Sequence, residues 1–175
     1  MSDSSSIYLI GPMGAGKSAV GRHLARLLKR EFFDSDAEIE QRTGVDIPFI
    51  FEKEGEAGFR RRERQMLDEL CDEQGIVLAT GGGVVMDEAN RRRLVASGVV
   101  FYLHASVDQQ LARTRLSRNR PLLETDDPRA RLEEIMAVRD PLYRSMADYV
   151  VDTNGRRVGQ VAEEIRSWLG KKDNQ

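Results

Sequence analysis

The segment GPMGAGKS at residues 11–18 constrains the fold of this chain more than any other feature. It directly follows the apolar run IYLI at 7–10, and its spacing is G-x-x-x-x-G-K-[ST]. Glycines at these positions let successive backbone N–H groups turn toward one anion, and Lys17 adds a full positive charge. A helix that starts after the loop points the positive end of its dipole at the same anion. The sequence therefore predicts a polyphosphate site between a first strand and a first helix.

The rest of the chain alternates between β-rich runs and helical patterns. Such alternation favours a parallel sheet covered by helices on both faces, a three-layer α/β fold. At 175 residues the chain is expected to form one domain, 1–175. The predicted strands are 7–10, 32–36, 76–80, 99–103 and 148–152. Two stretches look less regular, 44–58 and 117–128, and loops of this length are often functional.

The amino-acid composition excludes some classes of binding partner. The 27 basic residues nearly balance the 29 acidic ones, so no large field exists to attract nucleic acid or anionic lipid. The apolar runs are too short to span a bilayer, and MSDSSS lacks the features of a signal peptide. Cys71 is the only cysteine and cannot form an internal disulfide. We expect a cytoplasmic protein that binds neither nucleic acid nor membrane.

Within the phosphate loop, Lys17 is expected to reach the β- and γ-phosphates of a nucleotide. The Ser18 hydroxyl is expected to ligate Mg²⁺. Many such loops carry a second hydroxyl at the next position, where this chain has Ala19. That change removes one phosphate contact and leaves the metal ligand in place.

Two aspartates follow the second predicted strand. Many enzymes with this loop hold the metal with an Asp after another strand, but here the third strand ends in Thr80 and glycines. Asp34 and Asp36 lie where open α/β sheets bind ligands, and strand alternation would project both to one side. One would serve the metal and the other the substrate. Alternatively, Asp36 caps the following helix, which does not exclude the first interpretation.

Arginines and a glycine run supply further candidates. Arg60 begins the helical pattern GFRRRERQMLDEL, where Glu63 is placed to brace its guanidinium. Three glycines at 81–83 suggest close approach to the main chain, or else an ordinary turn before a helix capped by Asp87. Arg139 lies in a helical pattern that Pro141 interrupts. A kink there would aim Arg139 inward; otherwise it is a surface charge.

A basic segment, RTRLSRNR, ends one helix and enters the second irregular stretch. It has no interleaved aromatic residues, and the chain as a whole is slightly acidic, so a nucleic-acid surface is disfavoured. We expect a lid over about 114–127 that faces phosphate, with Arg120 stabilising charge on a transferring phosphoryl group.

Taken together and in order, these segments resemble the shikimate kinase family across almost the whole chain. They are LIGPMGAGKSAVGR, FFDSD, FRRRE, TGGGVV, RNRPLL, RDPLY and DTN. The resemblance implies a P-loop fold like that of the nucleoside monophosphate kinases, with strand order 2-3-1-4-5. It also implies Mg²⁺-dependent transfer of the ATP γ-phosphoryl group to the 3-hydroxyl of shikimate, in the route to chorismate and the aromatic amino acids.

The same resemblance assigns roles to individual residues. Asp36 would hold the substrate hydroxyls, and Asp34 would sit near the metal and bind it through water. Because Asp36 would touch the attacking hydroxyl, we expect it to act as the base. Lys17, Asp36 and Arg120 would be catalytic. The shikimate carboxylate would bind Arg60 and Arg139, with the remaining contacts in a substrate region of about 34–62 and at Gly81, Gly82 and Gly83. The nucleotide would contact Gly14, Ala15, Gly16, Lys17, Ser18, Ala19, Arg113, Arg120 and Val158.

Two of these assignments concern the adenine ring. Arg113 matches the family arginine that covers it. Val158 occupies the position at which several relatives have a proline on the other face of the adenine ring. This side of the predicted adenine pocket therefore departs from the family pattern.

Two other functions remain open from the sequence. One is a P-loop kinase for another small acceptor, such as gluconate or a nucleoside monophosphate, which the paired arginines and TGGG argue against. The other is a nucleotide-dependent switch, for which no exposed apolar stripe offers a partner surface. We expect a monomer that binds ATP, ADP and shikimate.

Overall fold

The computed structural model describes residues 4–115 and 125–174. Within them, five strands form one parallel sheet in the order β2-β3-β1-β4-β5. This confirms the predicted fold class and strand order. The strands are β1 (Ser6–Ile10), β2 (Phe32–Asp34), β3 (Val77–Ala79), β4 (Gly98–His104) and β5 (Tyr149–Asp152).

Helices cover both faces of this sheet. Side chains alternate along β1, so that Tyr8 belongs to one apolar cluster and Leu9 to another on the opposite face. The second cluster includes the buried sides of the first and last helices, and the first cluster includes those of the helices between β2 and β4. The helices are α1 (Lys17–Leu28), α2 (Ser35–Thr43), α3 (Ile47–Asp72), α4 (Glu88–Ser97), α5 (Val107–Thr114), α6 (Pro128–Met146) and α7 (Val158–Lys172).

The second strand is shorter than predicted. It ends at Asp34, whose carboxylate accepts hydrogen bonds from the backbone N–H groups of Asp36 and Ala37. Asp34 is therefore the N-cap of α2, and helix capping ends the strand. Asp36 lies in the first turn of the helix, so the strand alternation used to place it was wrong. The alternative that Asp36 is the cap was wrong as well.

The first irregular stretch, 44–58, is mostly helical. Asp46 caps α3 by accepting from the N–H of Phe49, and Pro48 lies in the first turn, where its missing N–H costs nothing. The glycines that suggested a loop mark boundaries. Gly44 ends α2, and Gly55 interrupts α3 with a φ of 71°.

The predicted lid lies largely outside the described residues. Residues 116–124, which include Arg118 and Arg120, belong to that part. On the described side, α5 ends at Thr114, and Asp127 caps α6 by accepting from the N–H of Ala130.

A polar clamp joins the ends of β4 and β5 to α5. The Thr153 hydroxyl donates to the His104 carbonyl and accepts from the Gln109 side chain. The side chain of Asn154 accepts from the N–H of Ser106, and Gln109 accepts from the N–H of Gly155. The DTN segment therefore fixes the start of α5 at the carboxyl edge of the sheet.

Among the described residues, no helix has the length and apolar character needed to cross a bilayer.

The pairing of β1 and β4 leaves no space for a side chain at Gly98. A Cβ atom there would lie 2.4 Å from the Ser6 carbonyl oxygen and 2.8 Å from a Tyr8 ring carbon. We predict that Gly98→Ala lowers the free energy of unfolding by about 1–3 kcal/mol, because the two strands must separate. Urea denaturation measures this change.

Gly170→Ala is the matched control. Gly170 lies in the last turn of α7, and a Cβ atom there meets nothing within 4 Å. Alanine should raise the stability there by up to about 1 kcal/mol. Equal effects of the two substitutions would contradict the proposed crowding at Gly98.

Candidate active site

The phosphate loop closes between β1 and α1 as predicted. Gly14 and Gly16 adopt φ values of 80° and 86°, and Gly16 is the N-cap of α1. Only glycine adopts such angles without cost, so the loop depends on these two residues. Lys17 is buried, and its Nζ donates to the carbonyl oxygens of Gly11 at 2.7 Å and Pro12 at 2.8 Å. The lysine charge thus lies against the loop itself.

A cavity of about 400 Å³ opens over this loop. It brings together residues from the phosphate loop, the end of β2 and the glycine run, as predicted for one site. Its lining includes Gly14, Gly16, Lys17, Ser18, Ala19, Asp34, Asp36, Gly81, Gly82 and Arg113, together with Met13, Arg22 and Thr80, which were not predicted. Ala15 does not line it; this residue is buried, and its N–H donates to the Pro12 carbonyl.

The two predicted metal-binding residues are in direct contact. The Ser18 hydroxyl donates to Asp34 Oδ2, while Asp34 Oδ1 caps α2. A hydroxyl and a carboxylate oxygen beside a phosphate loop are hard oxygen donors that suit Mg²⁺. The described residues contain no group of three or more His, Cys, Asp or Glu side chains that could hold a metal. Ser18 and Asp34 would supply two oxygen ligands to Mg²⁺, an ion that usually keeps several waters and binds substrate phosphates.

Asp36 and Glu63 crowd the first residue of the glycine run. A Cβ atom on Gly81 would lie 2.7 Å from Asp36 Oδ1 and 2.9 Å from Glu63 Oε2. The Gly81 N–H donates to the Ser35 hydroxyl at 3.0 Å, which ties the run to the start of α2. The predicted close approach to the main chain is present at Gly81, and the approaching groups are carboxylates of this chain.

Arg60 lies against the other end of the glycine run. Its Nη1 donates to Glu63 Oε1 at 2.8 Å, as the predicted brace requires, and its Nη2 donates to Glu56 Oε1 at 3.3 Å. A Cβ atom on Gly83 would lie 2.3 Å from this guanidinium. Burial tends to lower the pKa of Arg60, but the ion pairs with Glu63 and Glu56 outweigh it and raise the pKa. Arg60 is a fixed cation.

The buried carboxyl of Glu63 has two cationic neighbours. Burial raises its pKa, and the charges of Arg60 and Arg139 act against that rise. The pKa values of Arg60 and Glu63 are thus both raised. A raised pKa favours the charged form of the arginine but the neutral form of the glutamic acid. The 2.8 Å contact between the guanidinium and Glu63 Oε1 favours the ionised pair.

Arg139 is 5% exposed, so the surface-charge alternative was wrong. The helix α6 continues through Pro141 rather than being interrupted by it. Arg139 and Arg60, from different helices, line a second cavity of about 880 Å³. Gly82 lies between the two cavities, because its Cβ position is 3.6 Å from Arg139 Nη1 and it also lines the first cavity.

Two residues are predicted to contact the adenine ring, Arg113 and Val158, and only Arg113 contacts the phosphate loop. Arg113 Nη1 donates to the Gly14 carbonyl at 3.2 Å, so this guanidinium touches the phosphate loop. Val158 begins α7, is 37% exposed and lines neither cavity. Arg120 lies outside the described residues.

Tyr143, which contacts the glycine run of the site, was not predicted from the sequence. It is fully buried, and its hydroxyl donates to the Gly82 carbonyl. Its position four residues after Arg139 was the available signal, because residues at that spacing share one face of a helix.

Comparisons with known proteins decide the family. The family model described as shikimate kinase matches residues 13–170. A shikimate kinase of Thioalkalivibrio sulfidiphilus is 59% identical, covering 99% of this chain and 93% of the relative. One of Halorhodospira halophila is 61% identical, covering 92% and 91%. The chain belongs to the shikimate kinase family. The resemblance recognised from the sequence motifs is therefore confirmed.

A solved structure agrees with this assignment. Shikimate kinase from Acinetobacter baumannii in complex with shikimate superposes with a TM-score of 0.97 at 48% identity, covering 99% of this chain and 97% of that one. The family is one of ATP-dependent kinases. The chain is accordingly a phosphotransferase of the P-loop class.

Proposed function

We propose that this chain transfers the γ-phosphoryl group of ATP to the 3-hydroxyl of shikimate, giving shikimate 3-phosphate and ADP. One observation carries the proposal. The phosphate loop lines one cavity, and the half-buried Arg60 and the buried Arg139 line a second, with Gly82 between the loop and Arg139. Such a site can hold a polyphosphate and a small carboxylate next to each other.

The acceptor side suits an anionic triol. Arg60 and Arg139 would bind the carboxylate, because a guanidinium offers two parallel donors to the two carboxylate oxygens. Asp36 would accept hydrogen bonds from the ring hydroxyls and take the proton of the attacking one. The glycines at 81–83 would let the ring approach the main chain.

The donor side suits ATP. The N–H groups of 14–19 would surround the β-phosphate, and Lys17 would exchange its two loop carbonyls for the charged phosphate oxygens, which are stronger acceptors. Ser18 would ligate Mg²⁺ directly and Asp34 through water. When bound, Mg²⁺ neutralises charge on the transferring phosphoryl group. Arg120 in the lid, and Arg113 with Val158 at the adenine, stay predictions from the family pattern.

Two further expectations accompany this function. We infer that the enzyme acts as a monomer, as expected from the sequence. A single buried cysteine suits a reducing compartment such as the cytoplasm.

The function is tested with a coupled assay of ADP release. Shikimate, gluconate and nucleoside monophosphates are offered at equal concentration with ATP and Mg²⁺. We predict turnover with shikimate that disappears when EDTA removes the metal. A clear preference for gluconate or a nucleotide would overturn the proposal.

Asp36→Asn should lower kcat by about 10²-fold or more, because it removes the proton acceptor at the attacking hydroxyl. The fold should persist, since Asp34 caps the helix. Glu38→Gln is the control, because it removes an equal charge from the same first turn of α2 and does not line the cavity. If both variants retain full activity, Asp36 is not the base.

Arg60→Ala should weaken shikimate binding by about 2–5 kcal/mol, because the bound shikimate carboxylate loses one of its two cationic partners. Arg62→Ala is the matched control, since this arginine lies on the same helix in an exposed pair with Glu54. Arg60→Lys should give an intermediate loss, because lysine keeps the charge but not the paired donors. Isothermal titration with shikimate and with MgADP separates the sites. Loss of MgADP affinity alone would place Arg60 on the nucleotide side.

A further inference from the structure

The hydroxyl of Tyr143 lies beside Gly82, which lines the first cavity, and one helical turn from Arg139, which lines the second. Tyr143 is completely buried, and its hydroxyl donates to the carbonyl oxygen of Gly82. Burial raises the pKa of this hydroxyl, and the charge of Arg139, one turn earlier on α6, acts against that rise. A phenol oxygen bonded to the glycine run therefore lies beside a proposed carboxylate anchor.

Gly82 in turn touches the phosphate loop. Its Cβ position is 3.4 Å from the Met13 nitrogen, 3.5 Å from the Gly11 oxygen and 3.6 Å from Arg139 Nη1. A shift of Gly82 would therefore change the spacing between the loop and Arg139. That spacing determines the distance between the phosphate donor and the acceptor.

The ring of Tyr143 is held in place by a second tyrosine. Tyr102 of β4 stacks on it with ring centroids 4.9 Å apart and an interplanar angle of 29°. The Tyr102 hydroxyl donates to Asp140 at 2.6 Å, and Asp140 also accepts from Arg144 at 2.9 Å. The stacked ring cannot swing away, so the position of its hydroxyl is set by the sheet.

The hydroxyl also keeps its proton at neutral pH. Burial raises the pKa of Tyr143 to about 12. It can therefore donate to Gly82. A buried hydroxyl needs a partner, and phenylalanine would fill the same volume without that need. Here the partner belongs to the glycine run of the site.

We propose that Tyr143 is a positioning residue for the acceptor, whose hydroxyl holds the Gly82 carbonyl, and with it the glycine run beside the Arg139 guanidinium, in the arrangement that binds the substrate carboxylate. This inference rests on the proposed function. It assigns no contact between Tyr143 and the substrate. It requires that loss of the hydroxyl act on the carboxylate rather than on the nucleotide.

Tyr143→Phe removes the hydroxyl and keeps the stacked ring. The KM for shikimate should rise about tenfold, the size expected when a buried carbonyl group loses a hydrogen-bond donor, while the KM for ATP stays unchanged. The matched control is Tyr102→Phe, an equally buried tyrosine in the same stack whose hydroxyl contacts Asp140 instead. Its KM for shikimate should stay near that of the unmodified enzyme.

A neutral substrate analogue separates positioning from a general loss of structure. The carboxamide of shikimate should bind the unmodified enzyme much more weakly than shikimate does. In Tyr143→Phe that ratio should shrink several-fold, because the anchor for the carboxylate is already displaced. Thermal unfolding of both variants identifies any effect that comes from stability alone.

The outcomes distinguish two failures. If the unmodified enzyme does not phosphorylate shikimate, the proposed function fails. If it does, but Tyr143→Phe keeps its KM and its preference for the carboxylate, the positioning role is wrong. A rise in KM for both substrates with an unchanged carboxamide ratio would also overturn it.

Discussion

The carboxylate of Asp34 connects the two halves of the site. One oxygen accepts from the Ser18 hydroxyl in the first turn of α1, and the other accepts two backbone N–H groups at the start of α2. The phosphate loop and the helix that carries Asp36 are therefore oriented by a single side chain. Because β2 ends there, the change from strand to helix and the proposed metal site occur at the same residue.

The glycine run depends on this arrangement. Ser35, the residue after the cap, accepts from the N–H of Gly81, so the start of α2 also places the run after β3. Carboxylates crowd one end of the run and a guanidinium the other, so a side chain at Gly81 or Gly83 would displace these charged groups. The glycines thus let the protein's own charged groups approach the main chain. Arg60 and Glu63 are paired there before any substrate binds.

The sequence predicted those parts of the site that depend on neighbours along the chain. The phosphate loop has its own spacing, and Glu63 lies one helical turn from Arg60, so both features could be read locally. The extent of β2 was missed because strand alternation and capping compete for Asp34, and capping prevails. The stretch 44–58 was missed because Gly55 interrupts a helix that resumes beyond it. Arg139 is buried beside Gly82 and acts electrostatically on Glu63, and both are distant in sequence. Local patterns therefore left an inward and a surface position open, and only the family pattern favoured the inward one.

We expect the positive φ at Gly55 to divide α3 into two segments that unfold independently. Backbone hydrogen bonds cannot run in register through a residue with φ 71° and ψ 179°, so cooperativity along the helix is broken there. The bend also lets Arg62 reach Glu54 through two hydrogen bonds of 2.8 and 2.7 Å. Eight residues of straight helix would separate these two by about 12 Å. The segment before the bend, with Ile47 and Ile50 as its buried anchors, can unfold locally while the half carrying Arg60 and Glu63 stays folded. Amide hydrogens on the two sides of Gly55 then exchange with solvent through separate openings.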